Sequence, residues 1–419
     1  MSGNPSTPEI GLLTTQEILA NPAGPDPIAA RRKAQEWRDA AQLSVVIIGR
    51  NNRDTLIDML PRLAGEVHQI IYMDTGSTDQ SDLIAFELGA DVYRTIWQND
   101  FARARNEALS HATGKWILSL DTDEILPRMS ARKLNYILHA ADPEKEAFWI
   151  QLEMKQDAIP LEGDMNVQLR CFPNLYAKGL RWRYRVHEQI IDSLESLGVT
   201  RIIHSDVRVR HTGYSNPDMV KFKCARNREM LALEMQEDPP PRPVWITRYH
   251  AAKCAYVCGH LNEAIDYARK VAYDEDCRTI NPHQAASALR FLGEILFDNG
   301  KHELAVDAWK QGAELWPEDL SFPAHLGNSF KRMGQEEEGR EWLEKAAAIP
   351  PTVCSQAIST TRFLHMVYSG LAHSYALKAQ SVNGDSEARR DFMFTAENWK
   401  RKADNLIGAV SVLEPVEGT

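Results

Sequence analysis

The chain lacks any long apolar run. Nothing in its 419 residues approaches the ~18 consecutive apolar residues of a membrane-spanning helix, so no membrane span is expected. Cysteine is scarce: there are six, at positions 171, 224, 254, 258, 277 and 354, and no Cys-x-x-Cys. That usage excludes a disulfide framework and fits reduced thiols in a cytoplasmic protein. Cys254 and Cys258 lie one helical turn apart and read as buried small side chains rather than a metal pair. A basic surplus is missing too. Lys and Arg number 48 against 58 Asp and Glu, a net charge of −10, which excludes a general nucleic-acid binder. Met1–Ile10 has neither a basic start nor an apolar core, so no secretory signal is expected.

What is present is ample apolar mass, 43% against 25% charged residues, over a length that predicts two or three domains. Residues 1–25, rich in Pro, Gly, Ser and Thr, are expected to form a flexible leader. Residues 26–238 alternate strand and helix. Leu43–Ile48, Val67–Met73 and Trp116–Leu120 are continuous apolar runs suited to parallel strands buried on both faces. Helical patterns over 27–41, 54–63, 80–88 and 101–112 flank them, with a short strand at 91–94. This is the pattern of a doubly wound α/β sheet, in which ligands bind beyond the carboxyl ends of the strands. The polar clusters 49–54, 74–79 and 121–124 all fall there. Further strands are expected at 148–154 and 201–211, and a helix over 218–236.

Residues 239–419, opening with Pro239–Pro241, read as helical repeats. Gly259, Gly300 and Gly334 open similar words at intervals of 41 and 34 residues. Leu289, Leu292, Gly293, Leu296, Ala305, Trp309 and Pro317 stand at the offsets of a tetratricopeptide repeat, and Gly327, Phe330, Leu343, Ala346 and Pro351 continue it. The first unit carries about seven extra residues near 274–281. Stretch 359–410 is expected to cap the array. The array either braces the first domain or offers a concave groove to a partner.

The strongest chemical constellation is Asp121-Thr122-Asp123 at the end of an apolar strand. On extended backbone, alternate residues point the same way, so both carboxylates would face one site. Two hard oxygen ligands with open positions suit Mg²⁺ or Mn²⁺ bridged to a diphosphate.

With these words in place, residues 43–126 resemble the start of a family 2 inverting glycosyltransferase of GT-A fold. The likeness is to the branch with appended tetratricopeptide repeats, which includes bacterial enzymes that glycosylate peptides, some on cysteine sulfur. It rests on Ile47-Ile-Gly-Arg-Asn51, Ile71-Tyr-Met-Asp-Thr-Gly-Ser-Thr-Asp79, Trp97-Gln-Asn-Asp-Phe-Ala-Arg-Ala-Arg-Asn106, Ala112-Thr-Gly-Lys-Trp116 and Leu120-Asp-Thr-Asp-Glu124, and covers roughly 43–215 and 245–350. The resemblance implies a nucleotide-sugar donor, usually UDP-linked, held by Ile48, Arg50, Asn51, Asp74, Gly76, Arg105, Asn106, Asp121 and Arg185. It also implies Mn²⁺ or Mg²⁺ on Asp121, Asp123 and His211, with His204 the competing histidine. The family word Lys-Asn-Glu reads Arg50-Asn51-Asn52 here, which lacks the carboxylate; Asp54 is a candidate substitute. Glu188, in Arg181-Trp-Arg-Tyr-Arg-Val-His-Glu188, is the expected general base, with Asp123 the other catalytic residue.

Alternation places Arg181, Arg183 and Arg185 on one strand face, suited to a leaving diphosphate; with Arg208 and Arg210 they would form a local basic cluster. The expected acceptor is a peptide or protein side chain. A cell-envelope glycan or lipid-linked acceptor, and a non-catalytic repeat adaptor, are the alternatives. Homodimerisation is left open.

Overall fold

The computed structural model describes residues 27–154, 166–211, 217–350, 360–382 and 386–411. The leader, residues 212–216 and Cys354 lie outside these residues. Helix α1 (Pro27–Ala41) leads into β1 (Leu43–Gly49), which is followed by α2 (Arg53–Leu63), β2 (Gln69–Asp74), α3 (Ser81–Glu87), β3 (Asp91–Arg94), α4 (Phe101–Leu109), β4 (Trp116–Asp121) and the two-residue β5 (Glu124–Ile125). After α5 (Arg128–Ala140) come β6 (Glu146–Met154), β7 (Asn166–Pro173), α6 (Ile191–Ser196) and β8 (Arg201–His211). The eight strands form one sheet in the order β3-β2-β1-β4-β7-β6-β8-β5. β3, β2, β1 and β4 are mutually parallel; β7 runs antiparallel to β4.

The apolar runs are unbroken because both faces of the sheet are covered. In β1, Leu43, Val45 and Ile47 join the core on one face, with Met59 and Leu60 of α2. Val46 and Ile48 join the core on the other, with Ala104 and Ala108 of α4. The same alternation in β4 sends Trp116, Leu118 and Leu120 to the first core and turns Ser119 and Asp121 toward α4. That parity sets the site.

From α7 (Pro217–Glu234) onward the described chain is helical: α8 (Val244–Val257), α9 (Leu261–Ala272), α10 (Glu275–Ile280), α11 (Pro282–Asp298), α12 (His302–Leu315), α13 (Ser321–Arg332), α14 (Glu336–Ala348), α15 (Thr360–Ser381) and α16 (Ser386–Ser411). The extra residues of the first repeat fold as α10. Close helix approach explains the small residues of the repeat: a Cβ at Gly293 would sit 2.2 Å from the Trp309 indole nitrogen, and one at Gly312 2.1 Å from the Phe322 ring. Trp309 also donates to the Arg290 carbonyl at 3.1 Å.

One expectation fails. Residues 181–185 are not a strand; Arg183 and Gln189 form a single antiparallel bridge around a tight loop, and Tyr184 and His187 have left-handed φ values of 75° and 54°. The alternation that would align Arg181, Arg183 and Arg185 is therefore absent. Arg181 covers the Tyr176 ring at 3.9 Å. Arg208 and Arg210 lie elsewhere, on the exposed side of β8, and pair with Glu153 at 3.1 and 3.9 Å.

Candidate active site

The site is built on Arg105. Its helix, α4, starts where Asp100 accepts from the Arg103 amide, the side-chain cap that a helix N-terminus needs. One turn on, Arg105 is buried and points at the end of β4. Its guanidinium donates to Glu188 Oε1 at 2.6 Å, Ser119 Oγ at 2.8 Å and Asp121 Oδ1 at 2.5 Å. Arg170, buried on β7, donates to Asp121 Oδ2 at 3.2 Å and Glu124 Oε1 at 2.8 Å. The second Glu124 oxygen accepts from the Asp121 amide at 2.8 Å. Against the cost of burial, the two guanidinium groups hold Asp121 well below the usual carboxylate range. Burial pushes Glu124 up, opposed by Arg170 and helped by Asp121. Arg105 stays charged: burial acts against it, but Asp121 and Glu188 outweigh burial.

A second group stands beside this lattice. The backbone turns at Thr122 and Asp123, so the two aspartates do not share one extended face as the sequence predicts. Asp121 belongs to the arginines, and Asp123 to the β8 side. The pairing of Glu124 with His211 in the β5–β8 ladder brings His211 Nδ1 to 3.6 Å from Asp123 Oδ1. Lys223 of α7 donates to Asp123 Oδ2 at 3.0 Å. Burial lowers the His211 pKa, with Asp123 opposing, so the imidazole is neutral at pH 7. His204, the rival histidine, stacks on Trp149 at 5.9 Å, apart from Asp123.

The loops beyond β1 and β2 are stitched together. Asn51 accepts from the Thr78 amide at 2.8 Å and its own amide donates to Ser77 Oγ at 2.9 Å. Asp74 accepts from the amides of Gly76 and Ser77 at 3.1 and 3.0 Å, closing a turn in which Gly76 has φ of 106°, a region glycine enters without strain. Asn52 accepts from the Arg50 amide at 2.8 Å. Ile48 is buried in the sheet, and Arg50 is exposed at the rim.

Residues 44–152 match the family model described as Glycosyl transferase family 2. The chain carries a family 2 glycosyltransferase domain. A TPR repeat-containing protein of Synechococcus elongatus is 29% identical over 221 residues, 53% of this chain and 51% of that protein. The SPbeta prophage-derived glycosyltransferase SunS of Bacillus subtilis is 26% identical over 242 residues, 56% of this chain and 54% of that one. The chain thus spans about half the length of the curated relatives it matches. Among solved structures, S. aureus TarS 1-349 in complex with UDP-GlcNAc aligns with a TM-score of 0.35 at 13% identity, over 61% of this chain and 81% of that one.

Asp121, Asp123, Glu188, Arg105 and His211 come together at this site, and two expected donor contacts do not. Asn106 is engaged with the Trp182 backbone, accepting from its amide at 2.7 Å and donating to its carbonyl at 2.9 Å. Arg185 is paired with Glu237 at 2.6 Å, away from the arginine lattice. Sequence reasoning missed Arg170, Ser119 and Lys223. Arg170 had a readable signal, a lone cation inside the apolar run Leu169–Phe172. Lys223 sits among other cations on a helix and had none.

Proposed function

We propose that the chain is an inverting glycosyltransferase that moves a sugar from a UDP-linked donor to a peptide or protein side chain. The observation that carries this reading is the convergence of Glu188 and Asp121 on one guanidinium, with Asp123 and His211 beside it at the strand ends where such sheets bind ligands. Asp123 and His211 offer a hard oxygen and a neutral imidazole, a donor set that fits Mn²⁺ or Mg²⁺. Among the described residues no group of three or more His, Cys, Asp or Glu is gathered to hold a metal, so diphosphate oxygens and water would supply the remaining ligands. A bound ion would neutralise the departing diphosphate.

Glu188, which accepts from Arg105 Nε at 2.6 Å, takes the proton from the acceptor hydroxyl or thiol. The acceptor atom bonds to the anomeric carbon as that carbon's bond to the diphosphate oxygen breaks, and UDP leaves with the electron pair. Arg105 fixes the carboxylate through Nε while its far nitrogen holds Asp121, which orients the base relative to the donor floor.

The helical array supports a polypeptide acceptor. A recess of ≈ 470 Å³ between α9, α11 and α12 mixes Leu296 and Leu304 with Lys310 and Glu314, which suits an extended chain of mixed character. Five described cysteines are free thiols, which supports a reducing, cytoplasmic compartment, and among the described residues no helix is long and apolar enough to cross a membrane. The test is UDP release with Mn²⁺ over a donor panel, and mass spectrometry of peptide and glycan acceptors. Glu188→Gln is expected to lower kcat by ~10²-fold or more with UDP binding retained, and Asp123→Ala to abolish transfer. Full activity in either variant removes that residue from its role; modification of glycans alone overturns the polypeptide acceptor.

A further inference from the structure

The loop that carries Glu188 is held in a shape its own sequence does not enforce. Tyr184 and His187 both occupy the left-handed region, and non-glycine residues persist there only where their surroundings hold them. Most of those surroundings belong to residues 234–250, the end of α7, the linker after it and the first helix of the array. Glu234 and Arg242 form an ion pair of 2.6 Å in which neither side chain is more than 1% exposed. Thr247 donates to the same Glu234 oxygen at 2.8 Å. The knot then reaches into the loop from both partners. Glu234 Oε2 accepts from the Arg185 amide at 3.1 Å, and Arg242 donates to the Val186 carbonyl at 3.2 Å. Arg242 also covers the Tyr184 ring at 4.7 Å, and the His187 ring stacks on His250 at 3.9 Å and 20°. Four consecutive residues are thereby pinned, and the fifth is Glu188. On its other side the loop is tied to the donor half, where the Phe101 amide at the start of α4 donates to the Arg185 carbonyl at 2.8 Å.

We propose that Arg242 and His250 are positioning residues for Glu188: the root of the helical array sets the place of the acceptor base. The inference rests on the reading of Glu188 as that base. Removing the His250 ring frees the His187 backbone to relax toward an ordinary φ, which carries the neighbouring carboxylate away from Arg105. Misplacement of a reacting group by about 1 Å can cost ~10²-fold in rate.

The test uses the full chain with His250→Ala, His250→Phe and, as a second site, Arg242→Lys, which keeps the charge opposite Glu234 but loses the fork that reaches the Val186 carbonyl. Hydrogen exchange is read on peptides covering 99–105 and 183–190, with β1 and β4 as internal reference. Turnover is read with the UDP-sugar found by the donor panel, and affinity with UDP alone. In His250→Ala and Arg242→Lys, exchange should rise in those two segments only, kcat should fall about 10- to 100-fold, and the dissociation constant of UDP should stay within about twofold. His250→Phe, which keeps a stacked ring, should recover most of the loss. Unchanged exchange in both 183–190 and 99–105 overturns the proposal. So does loosening of β1 and β4, or a fall in UDP affinity that parallels kcat, because either marks a general structural role. Glu188→Gln run alongside separates the two ideas: normal turnover in that variant, with the loop loosened in His250→Ala, sinks the base assignment and leaves the anchoring intact.

Discussion

At the scale of single residues, the site runs on shared cations. Arg105 serves Ser119, Asp121 and Glu188 at once, and Lys223 occupies one oxygen of Asp123. Lys223 therefore competes with any divalent ion for that carboxylate. A unit charge about 4 Å away in a wet setting is worth ~1 kcal/mol. Lys223→Met is thus expected to tighten Mn²⁺ binding to the donor-free chain by ~5-fold in calorimetry, while Asp123→Asn weakens it. Equal Mn²⁺ affinity in wild type and both variants would remove Asp123 from the ligand set. Chelation by EDTA is expected to stop UDP release, and added Mn²⁺ or Mg²⁺ to restore it. The sequence exposed the acidic word but not its division of labour. The turn at Thr122 and Asp123 separates two carboxylates that an extended reading would align, and the pull of Arg170 on Asp121 comes from a strand 49 residues away.

At the scale of elements, legibility followed burial. β1, β2 and β4 were readable because parallel strands covered on both faces must be apolar at every position, and the repeats because glycine and tryptophan pack at fixed offsets. Gly293→Ala puts a methyl group into the Trp309 indole and is expected to cost ~1–3 kcal/mol, seen as a lower melting temperature. The strand face expected for Arg181, Arg183 and Arg185 is absent because the conformation of this loop is imposed by distant partners; neither its aromatics nor its arginines encode the left-handed turns at Tyr184 and His187.

The same loop predicts a pH response. Burial, with Lys253 and Arg242 adding to it and Glu188 opposing, lowers the His187 imidazole to about 4. Burial also depresses His250, with His187, Lys253 and Arg242 adding to it. An imidazole depressed in the folded chain binds fewer protons than in the unfolded chain between about 4 and the ordinary 6.5, so stability rises with pH across that window. Going from pH 7 to pH 5 is expected to lower the urea midpoint, and replacing both rings by Phe to remove much of that slope. A flat profile in wild type would mean that both rings titrate in the folded chain as they do in the unfolded one.

At the scale of the whole molecule, the sheet and the helices are not independent parts. Glu234, Arg242 and Thr247 close a buried knot, and the removal of one partner from such a pair costs ~3–5 kcal/mol. A chain ending at Glu237 keeps every residue of the donor floor but loses Arg242 and His250. It is expected to retain weak UDP binding, lose turnover by ~10²-fold or more, and show faster exchange over 183–190. Wild-type turnover from that fragment would show that the array contributes nothing to the chemistry.

The knot also decides where the protein tolerates recombination. Among the described residues, the helices beyond α9 pack chiefly on one another, α11 on α9, α12 on α11 and α13 on α12, so changes at the distal end are expected to leave the knot untouched. The first helix has no such liberty, because its inner side is bolted to the reaction chamber. A chimera that swaps foreign repeats should be joined after Ala272, because α9 still reaches α7 through Glu263 and Arg228 at 2.7 Å; a seam placed in the proline run at 239–241, however natural it looks on paper, would replace the bolt along with the rest of the array.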